Sequence, residues 1–247
     1  NITIKENEAL IRVSGGDARK LLNALEMVVN TNESEKICIT NEMVLNIIQK
    51  NLALYDKSGE QHYDIISAFI KSIRGSDPNA AVYYLARMLK GGEDPLFIAR
   101  RLIILASEDI GNANPNALLL ANNCFNSVNV IGMPESRIIL SQCATYLACS
   151  AKSNASYKAI EQAYALVEKT GDLPVPLHLR NAPTKLMKEL NYGANYQYAH
   201  NFDNNFINLE FLPDTITNTT LYEPNNNVKE NELRNYLKKL WKEKYNY

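Results

Sequence analysis

An arginine in the first turn of a helix is an unusual choice of charge. The stretch VSGGDARKLLNALE, residues 13–26, breaks at Gly15-Gly16 and offers Asp17 as an N-cap. Leu21, Leu22, Leu25 and Val28 then follow at helical spacing. Arg19 therefore falls where the helix dipole is positive, a placement that costs an exposed cation about 0.3–1 kcal/mol. Two chemistries reconcile it: Asp17 neutralises the guanidinium, or Arg19 reaches an anion held outside this stretch. Three further groups of charges stand out. Arg100, Arg101, Glu108 and Asp109 lie on an otherwise apolar helix, and its two C-terminal acids oppose the dipole; pairing with another helix or with Arg180 is expected. Lys185 and Lys188 with Tyr192, Tyr196 and Tyr198 combine phosphate contact with base stacking, but the same residues suit the anchoring of an extended segment or a subunit interface. The last helix carries Leu233, Leu237, Leu240 and Trp241 on one face, with Arg234, Lys238, Lys239, Lys242 and Lys244 around them. That pattern is either a solvated basic face or a nucleic-acid or partner contact.

Several chemistries are absent. The sequence contains no Gly-Lys dipeptide, so it has no phosphate-binding P-loop, and no Gly-x-Ser-x-Gly or His-Glu-x-x-His motif occurs. Cys38, Cys124, Cys143 and Cys149 form no Cys-x-x-Cys pair, and His62, His178 and His200 lie at no metal-ligand spacing. Reduced, mostly buried thiols in a cytoplasmic protein are expected. A net charge of −1 over 247 residues argues against a surface that coats nucleic acid throughout, and leaves room for a local basic face. The most apolar window, LFIARRLIILA, is too short to span a bilayer and is broken by Arg100 and Arg101, so no membrane association is expected. The chain opens without Met and in mid-pattern, which reads as a piece of a longer protein.

Helical periodicity must position these groups. Helices are expected near residues 5–13, from Asp17 to about 30, and from a Thr40 cap to about 51. The polar stretch at residues 55–61 is the best domain boundary. Longer helices follow over 62–74, 77–90, 94–110, 114–130, 134–151 and 155–169. Those starting at Asp77-Pro78 and Asp94-Pro95 and ending at Gly91 and Gly111 carry proline-in, glycine-out punctuation. The helix over 94–110 is apolar almost all round and is expected at the centre. Pro174, Pro176 and Pro183 forbid a helix until about Thr184, so the chain must run extended over the helical body. After a short helix, TKLMKELN, residues 209–212 and 220–222 are read as strands of a short β-hairpin, and a helix over 228–245 closes the chain. Asparagine is abundant in the loops, where it tolerates left-handed backbone.

The segment SGGDARKLLNALE resembles the start of the sensor-2 helix in the lid of AAA+ ATPases of the clamp-loader and RuvB-like kind. Four more segments resemble the RarA/MgsA family in its own order: HYDIISAFIKSIRGSDPNAAVYYLARML, GGEDPLFIARRLIILASEDIGNANP, YLACSAKSNASYKA and VPLHLRNAPTKLMKELNYGANYQYAH. The resemblance implies an all-α fragment: a helical AAA+ lid over residues 1–53, then a multi-helix homotetramerisation domain over 54–247 with an extended Pro/Tyr-rich arm. It implies a parent that is a DNA-dependent ATPase of replication-fork maintenance, recombination and repair. That parent would use ATP and Mg held by a core not present in these residues, act in the bacterial cytoplasm at the nucleoid, and have DNA and single-stranded-DNA-binding protein as partners. Arg19 takes the sensor-2 position, with Gly16 and Asp17 forming the nucleotide-facing turn, and no cofactor is expected on this chain alone. The competing description is a non-enzymatic helical scaffold for protein contacts. Upstream sequence with a phosphate-binding loop and an Asp-Glu box separates the two. One departure is local: after LYEP the family carries a glycine near a following glutamate, where this chain has Asn225-Asn226-Asn227. Asparagine tolerates positive φ, so the turn is expected to be kept.

Overall fold

The computed structural model describes residues 2–14, 16, 18–31, 36–55 and 60–247, and their side chains except those of 19, 20, 49–55 and 60–62. Its architecture is all-α apart from one two-stranded parallel sheet. The first part holds β1 (Ile2–Ile4), α1 (Glu8–Ser14), α2 (Ala18–Asn30), β2 (Ile37–Ile39) and α3 (Asn41–Tyr55), with Ile2, Thr3 and Ile4 of β1 in register with Ile37, Cys38 and Ile39 of β2. The strand pair was not expected from the sequence; its first strand occupies residues just ahead of α1, which starts at Glu8 rather than near residue 5. Its core is small: Leu10 from α1, Ala24 and Val28 from α2, Ile39 from β2, Val44 and Ile48 from α3. Asn41 ties the ends together. Its side chain accepts from Ala9 N at 2.9 Å and donates to Glu8 at 2.8 Å, while its backbone N donates to Glu6 at 2.8 Å. The Asn41 hydrogen bond holds the Glu8 carboxyl below the usual carboxylate range.

The second core gathers α4 (Glu60–Arg74), α5 (Pro78–Lys90), α6 (Pro95–Leu105), α7 (Asn116–Ile131) and α8 (Ser136–Cys149). Ile65, Ile66, Phe69 and Ile73 are the buried face of α4, which places this helix in the second core with α5–α8. Small residues recur where helices cross: Ala81, Ala99, Ala117, Ala121, Ala144 and Ala148 are all buried and let the axes approach closely. At the starts of α5 and α6 the punctuation works as the sequence implied. Asp77 accepts from Asn79 N and Ala80 N, Asp94 from Leu96 N and Phe97 N, and a proline fills the first helical position in both. The apolar α6 lies in this core through Ile98, Ala99, Leu102 and Leu105, yet Arg100 and Ile104 face solvent. Cys124 and Cys143 are buried and Cys38 and Cys149 exposed, so burial holds for two of the four thiols.

The helix expected over 94–110 is not continuous. After Leu105 the chain widens into a π turn, Ala106–Ile110, and tightens into a 3₁₀ turn, Gly111–Ala113. Gly111 N closes the π turn on Ala106 O. Gly111 has φ of +48°, and a Cβ there would stand 3.1 Å from the Ser153 carbonyl oxygen, so both conformation and contact favour glycine.

Beyond α9 (Ala155–Thr170) the chain runs extended as the prolines required, with α10 (Lys185–Glu189) as a single interruption longer than a 3₁₀ turn, and ends in α11 (Val228–Trp241). The expected β-hairpin is absent among the described residues. Phe211 N and Leu212 N donate to the Glu210 carboxylate at 3.0 and 2.9 Å, so the donors that a partner strand needs are already used. The last helix stops at Trp241 instead of 245, and Lys244 and Tyr245 fold back over the indole. Asn191, Asn195, Asn204, Asn205 and Asn218 do adopt positive φ, but Asn225–Asn227 do not. That turn is built from side-chain hydrogen bonds, not from left-handed backbone.

Candidate functional site

Gly16 sets the entry to α2. Its φ is +88°, its N donates to Ser14 Oγ at 3.4 Å, and Ser14 Oγ in turn donates to Ile11 O at 2.8 Å. A Cβ on Gly16 would meet nothing within 4 Å, so the turn stands open. Helix α2 begins at Ala18, and its first turn holds no acidic residue. Arg19 is its second residue, at the end whose backbone N–H groups and dipole favour an anion. Asp17 and the Arg19 side chain, and with them the expected choice between internal pairing and an outside anion, lie outside the described part of the structure.

The C-terminal candidates are spread over separate elements. Thr184 caps α10 through Met187 N at 3.3 Å. Lys185 reaches Glu189 at 4.0 Å on the surface, and Lys188 is exposed. Tyr192 is a packing residue: the Arg180 guanidinium lies 4.9 Å above its ring while Arg180 Nε donates to Val175 O at 2.6 Å. Tyr196 and Tyr198 are more than half exposed, and Tyr198 leans on His200 at 5.0 Å. Lys238 and Lys239 are exposed in the last turn of α11, where the helix dipole favours cations. Among the described residues no hydrogen bond or ion pair joins them to Lys185 or Lys188. Arg180 does not meet Glu108 or Asp109, the partner considered for it.

Those two acids have another partner. Arg74, at the end of α4, donates from Nε to Asp109 at 2.6 Å and from an Nη to Glu108 at 3.1 Å. The Asp109 hydrogen bond raises the already high Arg74 pKa. The expected ion pair to another helix is there, and it anchors a polar seam along the π turn. Ser153 N donates to Asp109 O at 2.8 Å, and Ser153 Oγ accepts from Asn225 at 3.1 Å. Asn112 donates to Tyr222 Oη at 3.1 Å and to Ser156 Oγ at 3.3 Å. Tyr222 donates to Glu230 at 3.3 Å, Asn227 Nδ2 donates to the other Glu230 oxygen at 2.6 Å, and Glu230 N returns to Asn227 Oδ1 at 3.0 Å. Glu230 is fully buried, and Asn227 is the N-cap of α11, its Oδ1 accepting from Glu230 N while its own amide donates to the Glu230 carboxylate. Burial raises the Tyr222 pKa, the Asn112 hydrogen bond lowers it, and the Glu230 charge raises it, with a net upward shift. Arg234 closes the end of the seam on Pro224 O and Asn231. The clue in the sequence was SEDIGN, two acids against the dipole followed by glycine; their partners could not be read from it.

Lys152 caps α8. Its ammonium donates to the carbonyls of Leu147, Ala148 and Ser150 at 3.1, 2.9 and 2.6 Å and to Ser76 Oγ at 3.0 Å. Burial holds its pKa below the ordinary lysine value, with Cys149 and Asp109 opposing. Lys152→Ala is expected to lower unfolding stability by about 1–2 kcal/mol, because a partly buried cation at a helix C-terminus is worth that much. Urea titration followed by circular dichroism measures it, and no change in midpoint would mean that water replaces the ammonium without loss.

Among the described residues no group of His, Cys, Asp and Glu is suited to a metal ion, and no helix is long and apolar enough to cross a membrane. Comparison with known proteins adds the family. A family model described as "MgsA AAA+ ATPase C terminal" matches residues 75–241, and one described as "AAA C-terminal domain" matches residues 1–74. The replication-associated recombination protein A of Coxiella burnetii is 43% identical over 237 residues, covering 94% of this chain and 54% of that protein. Proteins of the same name from Bacillus subtilis and Escherichia coli K12 are 44% and 42% identical over 236 and 229 residues, covering 93% and 91% of this chain and 55% and 51% of theirs. The chain thus spans about half the length of the curated relatives it matches. With both halves matched in order, the chain belongs to the RarA/MgsA family of AAA+ ATPases and corresponds to its C-terminal part.

Proposed function

We propose that this chain is the lid and oligomerisation part of a DNA-dependent AAA+ ATPase that maintains replication forks and serves recombination and repair. The observation that carries the reading is the entry to α2: an open turn at Gly16, no acid in the first helical turn, and Arg19 at the end of the helix that attracts anions. Residues 1–53 act as the lid, in which Gly16, Asp17 and Arg19 face ATP phosphates. The open turn and the cation fit that group. ATP with Mg on the core supplies the phosphoryl chemistry, and Arg19 orients and neutralises charge at the terminal phosphate. Residues 54–247 form the homotetramer scaffold. The packing of Phe69 and Ile73 in the second core supports a boundary before α4, although the two family models meet at residues 74 and 75. DNA and single-stranded-DNA-binding protein are the partners of the whole protein in the bacterial cytoplasm, at the nucleoid. Lys185, Lys188, Tyr196, Lys238 and Lys239 are exposed and are the residues proposed to meet them.

The scaffold role is supported by an apolar row that no described residue of one copy fully covers. Tyr157, Ile160, Tyr164 and Val167 lie at i, i+3, i+7 and i+10 on α9 and are between 44% and 63% exposed. Permanent oligomers bury such surfaces, usually more than about 2,000 Å², in closed symmetric arrangements. Light scattering of this chain without nucleotide or DNA is expected to give near four times its 27.8 kDa, and residues 54–247 alone should keep that ratio. A monomer that persists at high concentration overturns the scaffold role.

A further inference from the structure

A pocket of about 330 Å³ lies between α9 and the chain just ahead of α11. Helix α9 lends it Ala155, Lys158 and Gln162, at i, i+3 and i+7 on one face, and the chain before α11 lends Leu221, Glu223 and Pro224. That face of α9 is about half a turn away from the apolar row of Tyr157, Ile160, Tyr164 and Val167, so a copy that covers the row does not use the pocket. Lys158 and Glu223 line the pocket from opposite elements, yet among the described residues neither side chain has a hydrogen bond or an ion pair. Elsewhere Lys229 and Lys244 both pair with carboxylates. Arg234 is the second cation of the lining, and its guanidinium is fixed by Pro224 O and Asn231. Leu221 and Pro224 add an apolar wall, and the lining holds no second acid and no aromatic ring.

We propose that this pocket binds a free guanine mononucleotide, its phosphate on Lys158 and Arg234 and the Watson–Crick edge of its base on Glu223. Two cations against one acid call for a ligand with an excess of negative charge, and the unpaired acid calls for N–H donors at the ligand's other end. A phosphomonoester supplies the first. Among the bases, guanine alone puts two adjacent donors, N1–H and N2–H, on one edge, where a carboxylate accepts both. The apolar wall covers a face of the base. The volume falls at the lower end of the roughly 300–1,000 Å³ of small-ligand sites, which suits one nucleotide. Single-stranded DNA fits less well, since its successive bases need aromatic platforms and the lining has none. No residue of the lid takes part, so the inference stands independently of the role proposed for Arg19.

The test is isothermal titration of the whole chain with guanosine monophosphate, adenosine monophosphate and inorganic phosphate. The guanine nucleotide is expected to bind saturably, at least about tenfold tighter than the adenine nucleotide or phosphate alone. Lys158→Ala should weaken the guanine nucleotide and phosphate alike. Glu223→Gln should weaken the guanine nucleotide at least about tenfold and leave phosphate bound as well or better, because a like charge is gone. Both positions are exposed, and an unchanged thermal midpoint shows that the fold is intact. Failure of the guanine nucleotide to bind at millimolar concentration, equal affinity for the adenine nucleotide, or binding that survives both variants overturns the proposal. Guanine nucleotide bound no tighter than phosphate would reduce the pocket to an anion site. Displacement by an equal concentration of oligothymidine would assign it to nucleic acid. Either result overturns the proposal likewise.

Discussion

Replacing Arg19 by alanine in the full-length protein is expected to lower ATP turnover by about 10²-fold while leaving the oligomer and its melting temperature unchanged. A preorganised cation near transferring phosphate acts where charge develops, so its loss falls on kcat more than on KM. The fold should not notice. Arg19 sits in the first turn of α2, where a cation opposes the dipole, so removing it relieves a small unfavourable term. Arg19→Lys keeps the charge but not the planar fork, and should recover only part of the rate. Steady-state ATP hydrolysis with and without single-stranded DNA, run beside light scattering, reads all three outcomes. Wild-type turnover in Arg19→Ala would return the residue to local pairing and remove the lid role.

The second large effect is expected at Glu230. Glu230→Ala removes a fully buried carboxylate and strands two donors that aim at it, Asn227 Nδ2 at 2.6 Å and Tyr222 Oη at 3.3 Å. Stranded, half-buried donors cost more than the net worth of a hydrogen bond, while the Asn227 cap on the backbone N–H of position 230 is kept. The expected loss is about 2–4 kcal/mol. The reporter is built in. Trp241, the one tryptophan of the chain, packs edge-on against Phe206 and Tyr245 at 5.0 and 5.2 Å, with the Lys244 ammonium 4.5 Å from its ring. Undocking of α11 should therefore shift tryptophan emission to the red at denaturant concentrations where the far-ultraviolet dichroism of the α4–α8 body is unchanged. Glu230→Gln, which keeps one acceptor and the side-chain volume, should fall between. Coincident loss of both signals would show that α11 and the body unfold as one unit.

How much was legible depends on how local the cause was. Helices α5 and α6 were readable to within a residue or two at their starts because Asp77-Pro78 and Asp94-Pro95 act on donors two and three residues ahead. The extended run after Gly171 was readable because proline acts on its own φ and on its predecessor. The β1–β2 pair escaped because three-residue strands carry no alternation and find each other 35 positions apart. The false hairpin had the reverse fault: suitable residues, with a neighbouring carboxylate, Glu210, that takes the backbone donors first. At the candidate site the turn at Gly16 and the start of α2 were legible from a short motif. The Arg74–Asp109 pair was half found, since the acids announced themselves by opposing a dipole while their partner lay 35 residues away. Asn227 was assigned the wrong job. Positive φ was a local expectation, and its actual role, holding Glu230 beneath α11, depends on a site assembled from four segments.

The Asn112–Tyr222 hydrogen bond joins residues 110 positions apart, and this distance orders assembly in time. A growing chain releases its N-terminal residues first, and domains fold as their sequence becomes available. Helices α4–α8 need nothing beyond residue 149 to complete their core, so they can collapse while the ribosome is still adding the tail. Asn112 and Ser153 then wait in water until Tyr222 and Asn225 have been synthesised. The entropic toll of so long a closure rises only with the logarithm of its length, which a preformed body with a fixed docking edge readily offsets. The seam thus closes as a latch: only residues from Tyr222 onward dehydrate the groups left open along the π turn, and a message cut short before Tyr222 yields a packed body with an unsealed seam.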